Sequence, residues 1–298
     1  MQRIIPFLWF DDQAEEAVAF YTGIFNNVRT LETARYDKTS AETSGKPEGS
    51  VMTMEFELED HHFIALNGGP IFNFTPAISF SVHCVTEGEV DELWAHLSPG
   101  GKVLMPLDKY FFSEKYGWIE DQYGVSWQIN LSGGRGQKIV PSLLFVGYQA
   151  GKAEEAMNFY TSVFKQAQVG EIYRYGPGQA PNDENYINYA EFTLAGQYFT
   201  AMDSALDHQF TFTEAISLSV SCETQGEVDY YWNQLSAVPE AEQIGWLKDR
   251  FGVSWQIIPL RLNELLQDPD PEKAGKVMQA MMKMKKIDIA QLERTYNS

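Results

Sequence analysis

The chain has 298 residues, of which 44% are hydrophobic and 21% charged, and its formal net charge at pH 7 is −19. This composition is typical of a folded globular protein, because it lacks the polar bias of disordered chains and the long apolar runs of membrane proteins. An acidic surface repels phosphate, so we expect no nucleic-acid partner and no adhesion to anionic membranes. Cations and neutral or weakly charged small molecules remain compatible ligands.

The first half predicts two successive β-α-β-β-β units. Residues 4–10 form an uninterrupted apolar run, which indicates a strand buried on both faces. Residues 14–25 carry apolar side chains at helical spacing. Further strands are predicted at 28–37, 49–58, 61–67, 77–84, 103–108, 111–121 and 124–131, and a second helix at 87–97. Because two helices cannot cover both faces of so many strands, we expect a curved mixed sheet with helices on one face and a cavity on the other.

The second half repeats the first in four collinear blocks. The matching pairs are residues 14–25 with 153–164, 74–79 with 212–217, 89–97 with 227–235, and 117–129 with 245–257. We therefore predict an α+β tandem duplication whose modules pack as a built-in pseudo-dimer with one cavity each. The predicted parts are a first module at 1–132, a flexible glycine linker at 133–137, a second module at 138–260 and a helical tail at 261–298.

The tail opens with a helix start signal. Asp270 is a suitable N-cap, and Pro271 suits the first helical position. Apolar residues then recur at helical spacing, at Ala274, Val277, Met278, Met281 and Met284. A methionine-rich stripe can dock partners, but packing back onto the protein is the favoured interpretation.

The N-terminus and the cysteines favour a cytoplasmic location. The first apolar run is too short for a signal peptide and has no small-residue cleavage site. Cys84 and Cys222 occupy equivalent positions in the two halves and show no metal-ligand spacing. Buried, reduced thiols fit them better than a disulfide or a nucleophile.

Several stretches of the chain resemble the vicinal oxygen chelate superfamily, which contains glyoxalases, bleomycin-resistance proteins and extradiol dioxygenases. They are IIPFLWFDDQAEEAVAFY, FIALNGGP with FNFTPAISF, GWIEDQYGVSWQI, and their second-half counterparts. Together with the tail DPDPEKAGKVMQAMMKMKKIDIAQLERTY, they look most like the PhnB-like branch, labelled 3-demethylubiquinone-9 3-methyltransferase. The resemblance implies the fold more specifically than the activity, because one fold hosts many functions.

The resemblance also implies where a divalent metal would bind, on a His or Gln of the first strand and a Glu of the last strand. The first position falls at Pro6–Phe7 and Pro141–Ser142, and the second holds Gln128 and Gln256. None of these is a good ligand for a hard divalent cation, and the five histidines stand at no ligand spacing. We therefore expect no metal. We also expect no S-adenosylmethionine cofactor, because no glycine-rich turn follows the first strand.

Cavity residues follow from strand alternation and from the resemblance, which places the Gln side of each last strand on the cavity. The tryptophans would supply flat apolar walls, and Asn67 and Asp203 would be polar handles at the mouth. The alternative is that the aromatic residues fill a core and that Asn-Gly-Gly forms a turn. The predicted ligand-binding residues are Trp9, Asn67, Trp118, Ser126, Gln128, Asp203, Trp246, Ser254 and Gln256, and no catalytic residue is assigned.

Three functions remain open. The leading interpretation is binding of a small apolar or aromatic molecule in a metal-free cavity. The first alternative is an enzyme acting on a small metabolite, either a metal-dependent lyase, isomerase or dioxygenase or the methyltransferase of the family label. The second is a scaffold with filled interiors, and a homodimer stays open beside the monomeric pseudo-dimer. Because Tyr116 of the first half corresponds to Ile244 of the second, two pockets need not bind the same ligand.

Overall fold

The fold is that of a mixed α+β protein, as the computed structural model shows for residues 3–134 and 136–298. The strands are β1 (Ile4–Phe10), β2 (Arg29–Arg35), β3 (Val51–Leu58), β4 (His61–Asn67), β5 (Ile78–Cys84), β6 (Lys102–Tyr110), β7 (Ser113–Glu120), β8 (Ser126–Leu131), β9 (Ile139–Val146), β10 (Gln168–Arg174), β11 (Ile187–Leu194), β12 (Gln197–Ser204), β13 (Ile216–Cys222), β14 (Trp246–Lys248) and β15 (Ser254–Pro259). The helices are α1 (Ala14–Ile24), α2 (Lys38–Ser44), α3 (Glu87–Leu97), α4 (Ala153–Val163), α5 (Gln225–Leu235), α6 (Leu260–Leu266), α7 (Pro271–Met281) and α8 (Ile289–Tyr296). The predicted fold class is confirmed.

The strands form two sheets, and each sheet takes one β-α-β-β-β unit from each half. Sheet A has the order β14-β15-β13-β1-β4-β3-β2, and sheet B has the order β10-β11-β12-β9-β5-β8-β7-β6. The halves meet through two antiparallel pairs, β1 with β13 and β9 with β5. In this arrangement the apolar strands β1 and β9 each have a neighbouring strand on both sides, so neither lies at a sheet edge. A cavity on either sheet therefore belongs to both halves, which corrects the expectation of one cavity per module.

The two halves are related by reciprocal contacts, as in a two-fold dimer. Thr75 Oγ1 donates to the carbonyl of Thr211, and Thr213 Oγ1 donates to the carbonyl of Asn73, both at 2.8 Å. Two ion pairs follow the same relation, Arg3 with Glu227 and Lys138 with Glu89. The predicted built-in pseudo-dimer describes this geometry. The boundaries at 1–132 and 138–260 stay predictions about the repeat.

One face of each sheet carries helices from α1, α3, α4 and α5, and the opposite face is the open face. Helix α1 lies on β3, α3 on β8, α4 on β11 and α5 on β15. A single hydrophobic core joins both sheets through these helices. Along β5 and β8, residues such as Phe80 and Trp127 enter this core, whereas their neighbours Ser79 and Gln128 point to the open face.

A buried aspartate explains why the motif from Asp249 to Trp255 recurs in both halves. Asp249 Oδ2 accepts from Tyr160 Oη at 2.7 Å and from Trp255 Nε1 at 2.8 Å, and Oδ1 accepts from the backbone N–H groups of Phe251 and Val253. Burial raises the pKa of this carboxyl, and the four donors act in the opposite direction. In the first half the same contacts join Asp121 to Tyr21, Trp127, Tyr123 and Val125. The motif therefore anchors a helix to the turn before the last strand.

The tail packs back onto sheet A. Asp270 caps α7 by accepting from the N–H of Glu272, as the start signal predicted. The tail has its own small core, made of Leu262, Leu265, Val277, Met284, Ile287 and Leu292. The backbone N–H of Ile244 donates to the carbonyl of Met284 at 2.9 Å, which ties the tail to the loop before β14. None of the described helices is long and apolar enough to span a membrane.

Candidate functional site

In sheet B, the side-chain amide of Gln128 is fully hydrogen-bonded within the protein. Its Nε2 donates to Ser79 Oγ at 2.8 Å and to Ser142 Oγ at 3.3 Å. Its Oε1 accepts from Tyr116 Oη at 2.8 Å. The Tyr116 ring lies edge-on to the rings of Tyr110 and Phe112. Burial raises the Tyr116 pKa well above its usual value, so its hydroxyl stays a donor at neutral pH.

In sheet A, the amide of Gln256 is only half satisfied. Its Nε2 donates to Ser217 Oγ at 2.9 Å. No donor in the described part of the chain reaches its Oε1, because Ile244 stands where the first half has Tyr116. Gln256 is 4% exposed and lines a cavity on the open face. Because Gln256 lines the cavity and its Oε1 accepts from no described residue, this atom is suited to contact a bound molecule.

The cavity of sheet A has a volume of about 710 Å³ and lies between the open face and the tail. Its apolar lining includes Ile5, Phe7 and Ile64 from the sheet and Leu262, Leu266 and Met278 from the tail. Its polar lining includes Gln256, Ser219 and Thr53, and also His62 beside Glu55, whose Nε2 and Oε2 atoms are 3.1 Å apart. This size and lining are typical of a small-molecule site.

A second cavity, of about 290 Å³, lies on the open face of sheet B. It is lined by His83, Gly136, Gln137, Val140, Tyr189, Glu191, Tyr198, Phe199 and Thr200. Gln128 lies outside both cavities. The two halves have therefore diverged: both glutamines are buried, but Gln128 is hydrogen-bonded through both ends of its amide and Gln256 lines a cavity.

The three predicted tryptophans are half-buried and do not have equivalent contacts. Trp118 Nε1 donates to Ser126 Oγ at 2.8 Å. Trp246 instead lies edge-on to Phe7 and Trp9, with ring centroids 5.6 and 5.9 Å apart. Ser254 Oγ, the counterpart of Ser126, is buried and has no partner among the residues that the structure describes. By analogy with Trp118 and Ser126, the indole of Trp246 would donate to Ser254, but it packs against Phe7 and Trp9 instead.

The remaining predicted site residues, Asn67 and Asp203, are buried and fix the starts of helices. Asn67 Oδ1 accepts from the N–H of Ala14 at 2.8 Å, and its Nδ2 donates to the carbonyl of Val51. Asp203 accepts from the N–H groups of Gly151, Ala153 and Ile187. Their polar atoms bind backbone, so the contacts in this structure are structural ones. A ligand role for either residue stays a prediction.

His61 gives the protein a pH-dependent stability. It is 5% exposed, and burial lowers its pKa to about 3, with His62 adding to the effect. Because the unfolded chain binds this proton below pH about 6.5 and the folded chain does not, stability is lost as the pH falls from there towards 3. At pH 5 the loss attributable to His61 is about 2 kcal/mol.

We expect His61→Gln, which introduces the residue found at the equivalent Gln197, to remove this loss. Urea denaturation at pH 7 and pH 5 measures it: the difference in unfolding free energy should shrink by about 2 kcal/mol relative to the wild type. The exposed His96→Gln is the matched control and should leave the difference unchanged. An unaltered pH dependence in His61→Gln contradicts the assignment.

Comparison with known proteins identifies the family. The family described as 3-demethylubiquinone-9 3-methyltransferase matches residues 2–130 and, a second time, residues 137–258. The chain belongs to this family. A PhnB protein from Bacillus cereus is 41% identical, and that match covers 44% of this chain and 100% of the bacterial one, with a TM-score of 0.41. Glyoxalase I from Zea mays is 9% identical, with a TM-score of 0.55 over 85% of this chain and 90% of the maize one. No curated protein matches the chain.

The chain is thus a two-module PhnB-like protein, as the sequence motifs indicated, and it shares the fold of glyoxalase I. The maize protein supports the fold alone, because so low an identity carries no information about activity. In this PhnB-like chain, the implied metal position lies where four neighbouring strands meet. These strands are β15, β13, β1 and β4 in sheet A, and β12, β9, β5 and β8 in sheet B.

The residues at that position do not fit a divalent metal. In sheet A they are Phe7, Ile64, Ser217 and Gln256, and in sheet B they are Ser142, Thr200, Ser79 and Gln128. These sets offer hydroxyls, amides and apolar groups, whereas a divalent ion is held by carboxylates or imidazoles. Across residues 3–134 and 136–298, no group of three or more His, Cys, Asp or Glu side chains could hold a metal ion.

Two parts of this site were missed in the sequence. The hydroxyl partners of the glutamines, Ser79 and Ser217, sit in the repeated Ala-Ile-Ser block, where the alternation of small polar residues could have marked an open face. The tail residues that close the cavity, Leu266 and Met278, had no sequence signal for their position, since only tertiary packing brings the tail over sheet A.

Proposed function

We propose that this PhnB-like protein binds a small, largely apolar or aromatic molecule, without a metal, in the cavity of sheet A. The observation that carries the proposal is the cavity of about 710 Å³ with a single partly satisfied, deeply buried amide, that of Gln256. Apolar walls would supply most of the binding free energy, and the polar group would fix the orientation of the ligand.

The tail makes this cavity specific to one side of the pseudo-dimer. Helices α6 and α7 close the open face of sheet A through residues such as Leu262, Leu266 and Met278. Gln267 Nε2 donates to Glu32 Oε2 at 2.6 Å, so the tail contacts the opposite rim of the sheet. The tail covers part of the open face, so a ligand beneath it would be partly shielded from water, which would strengthen its polar contact with Gln256.

Titration with the neutral dye Nile red tests the proposal. We expect saturable binding at one site per chain, with a rise in fluorescence because the dye leaves water for an apolar cavity. Met278→Trp places a larger side chain in the cavity and should weaken dye binding at least tenfold. Gln279→Trp changes the next, exposed residue of the same helix and is the matched control.

Two results would count against the proposal. One is the absence of saturable dye binding by the wild-type protein. The other is equal dye affinity of the wild type and a folded Met278→Trp variant, which would place the dye at another surface. Far-ultraviolet circular dichroism of both variants controls for folding.

A further inference from the structure

The repeat allows a direct comparison of one amide in two settings. In sheet B, the hydroxyl of Tyr116 donates to Gln128 Oε1 at 2.8 Å. In sheet A, the corresponding residue is Ile244, and its backbone N–H is engaged by the carbonyl of Met284 in the tail. The chain thus provides a phenol hydroxyl that donates to Gln128, and it provides none to Gln256.

The orientation of the Gln256 amide is set by the protein. Ser217 Oγ accepts from its Nε2 at 2.9 Å, as Ser79 accepts from Gln128. The Oε1 atom is therefore directed as in Gln128, and it lacks a donor from any residue that the structure describes. A carbonyl oxygen held in this way, on a side chain that is 4% exposed, selects a ligand that brings a hydrogen-bond donor.

The rim of the cavity adds a selection by charge. It is lined by four carboxylate residues, Glu32, Asp37, Glu55 and Asp268, and by one arginine, Arg35, so negative charge predominates. A ligand that carried a carboxylate or phosphate would be repelled there. A phenol has a pKa of about 10, so it is neutral at pH 7 and keeps the proton that it donates.

We infer that the ligand of the sheet A cavity is a neutral phenol whose hydroxyl donates to Gln256 Oε1 and whose ring lies against the apolar lining. The inference rests on the proposed function and specifies its ligand class. The hydrogen bond from the Tyr116 hydroxyl to Gln128 Oε1 is the same kind of contact, made within the protein.

A matched pair of probes tests this contact. The probes are para-propylphenol and para-propylanisole, which share ring and chain but differ in that the methyl ether has no donor. Isothermal titration calorimetry of the wild-type protein should give at least tenfold tighter binding of the phenol. Gln256→Leu, or Gln256→Met if the first variant does not fold, should reduce this ratio to about one by weakening the phenol and sparing the ether. Gln128→Met, the equivalent change in sheet B, should preserve the ratio.

The outcomes separate the inference from the proposed function. Equal affinity of both probes for the wild type overturns the phenol inference and leaves the apolar site in place. A tenfold preference that persists in the Gln256 variants overturns the role of Gln256. If neither probe binds while Nile red does, the phenol inference fails alone, and if none of the three binds, both fail.

Discussion

Asp249→Ala is expected to lower the free energy of unfolding by about 3–5 kcal/mol, because it leaves four buried donors without their acceptor. These donors are the hydroxyl of Tyr160, the indole N–H of Trp255 and the backbone N–H groups of two residues in the turn before Trp255. They connect α4 to the last strand of sheet A, so their loss loosens the core that joins the two sheets. Guanidinium denaturation followed by tryptophan fluorescence measures the change.

Three further variants bracket the Asp249 prediction. Asp121→Ala breaks the same network in the first half and should cost a similar amount. Asp249→Asn keeps the shape and one acceptor oxygen and should cost less than the alanine. Asp12→Ala, at an exposed position, should change stability by no more than about 0.5 kcal/mol. A loss below about 1 kcal/mol for Asp249→Ala would show that the repeated motif does not stabilise the fold.

Gly68→Ala is expected to destabilise the protein by about 3 kcal/mol, at the upper end of the cost of overpacking. A Cβ atom at this position would stand 2.1 Å from Cε2 of Trp9, which is far inside van der Waals contact. The indole cannot easily withdraw, because its Nε1 donates to the carbonyl of Gly69 at 2.9 Å and its ring packs against Phe72 and Trp246. Urea denaturation and the near-ultraviolet circular dichroism of the tryptophans report the effect.

The control for Gly68→Ala is the same change where space is open. Gly23 lies in α1, and a Cβ atom there would have no neighbour within 4 Å. Gly23→Ala should therefore stabilise the protein slightly, since alanine has the higher helix propensity. A neutral Gly68→Ala would mean that Trp9 can move away from the strand at little cost.

Much of the fold could be predicted because local periodicity and the repeat point to the same elements. The apolar run of β1 and the helical spacing in α1 each identified their element, and the repeat supplied a second example of both. Helix α2 was missed because its sequence KTSAETS has no apolar stripe, and it depends on a cap from Asp37. The exchange of units between sheets could not be predicted, because strand periodicity says which face is buried and not which strand is the neighbour.

The site was predictable in its residue types and not in its bonding. Alternation placed Gln128 and Gln256 on the same side of their strands, and both lie on open faces. The two glutamines differ in hydrogen bonding because Tyr116 in the first half is replaced by Ile244 in the second. The sequence showed this difference but not that the tyrosine hydroxyl bonds the glutamine. The capping contacts of Asn67 were hidden, because a polar residue after a strand fits a helix cap and a cavity mouth equally well.

The exchanged topology also sets the order in which the parts of the protein can be completed during synthesis. Strands β5 and β9, which join the halves in sheet B, are close in the chain, with Ile78 opposite Leu143. In sheet A the junction pairs Ile4 with Val220, so β1 must wait for nearly the whole chain to leave the ribosome. Until then its edge is open to pairing with other chains. The cavity of sheet A also needs α6 and α7, which follow β15 in the chain, so products truncated before α6 are expected to lack it.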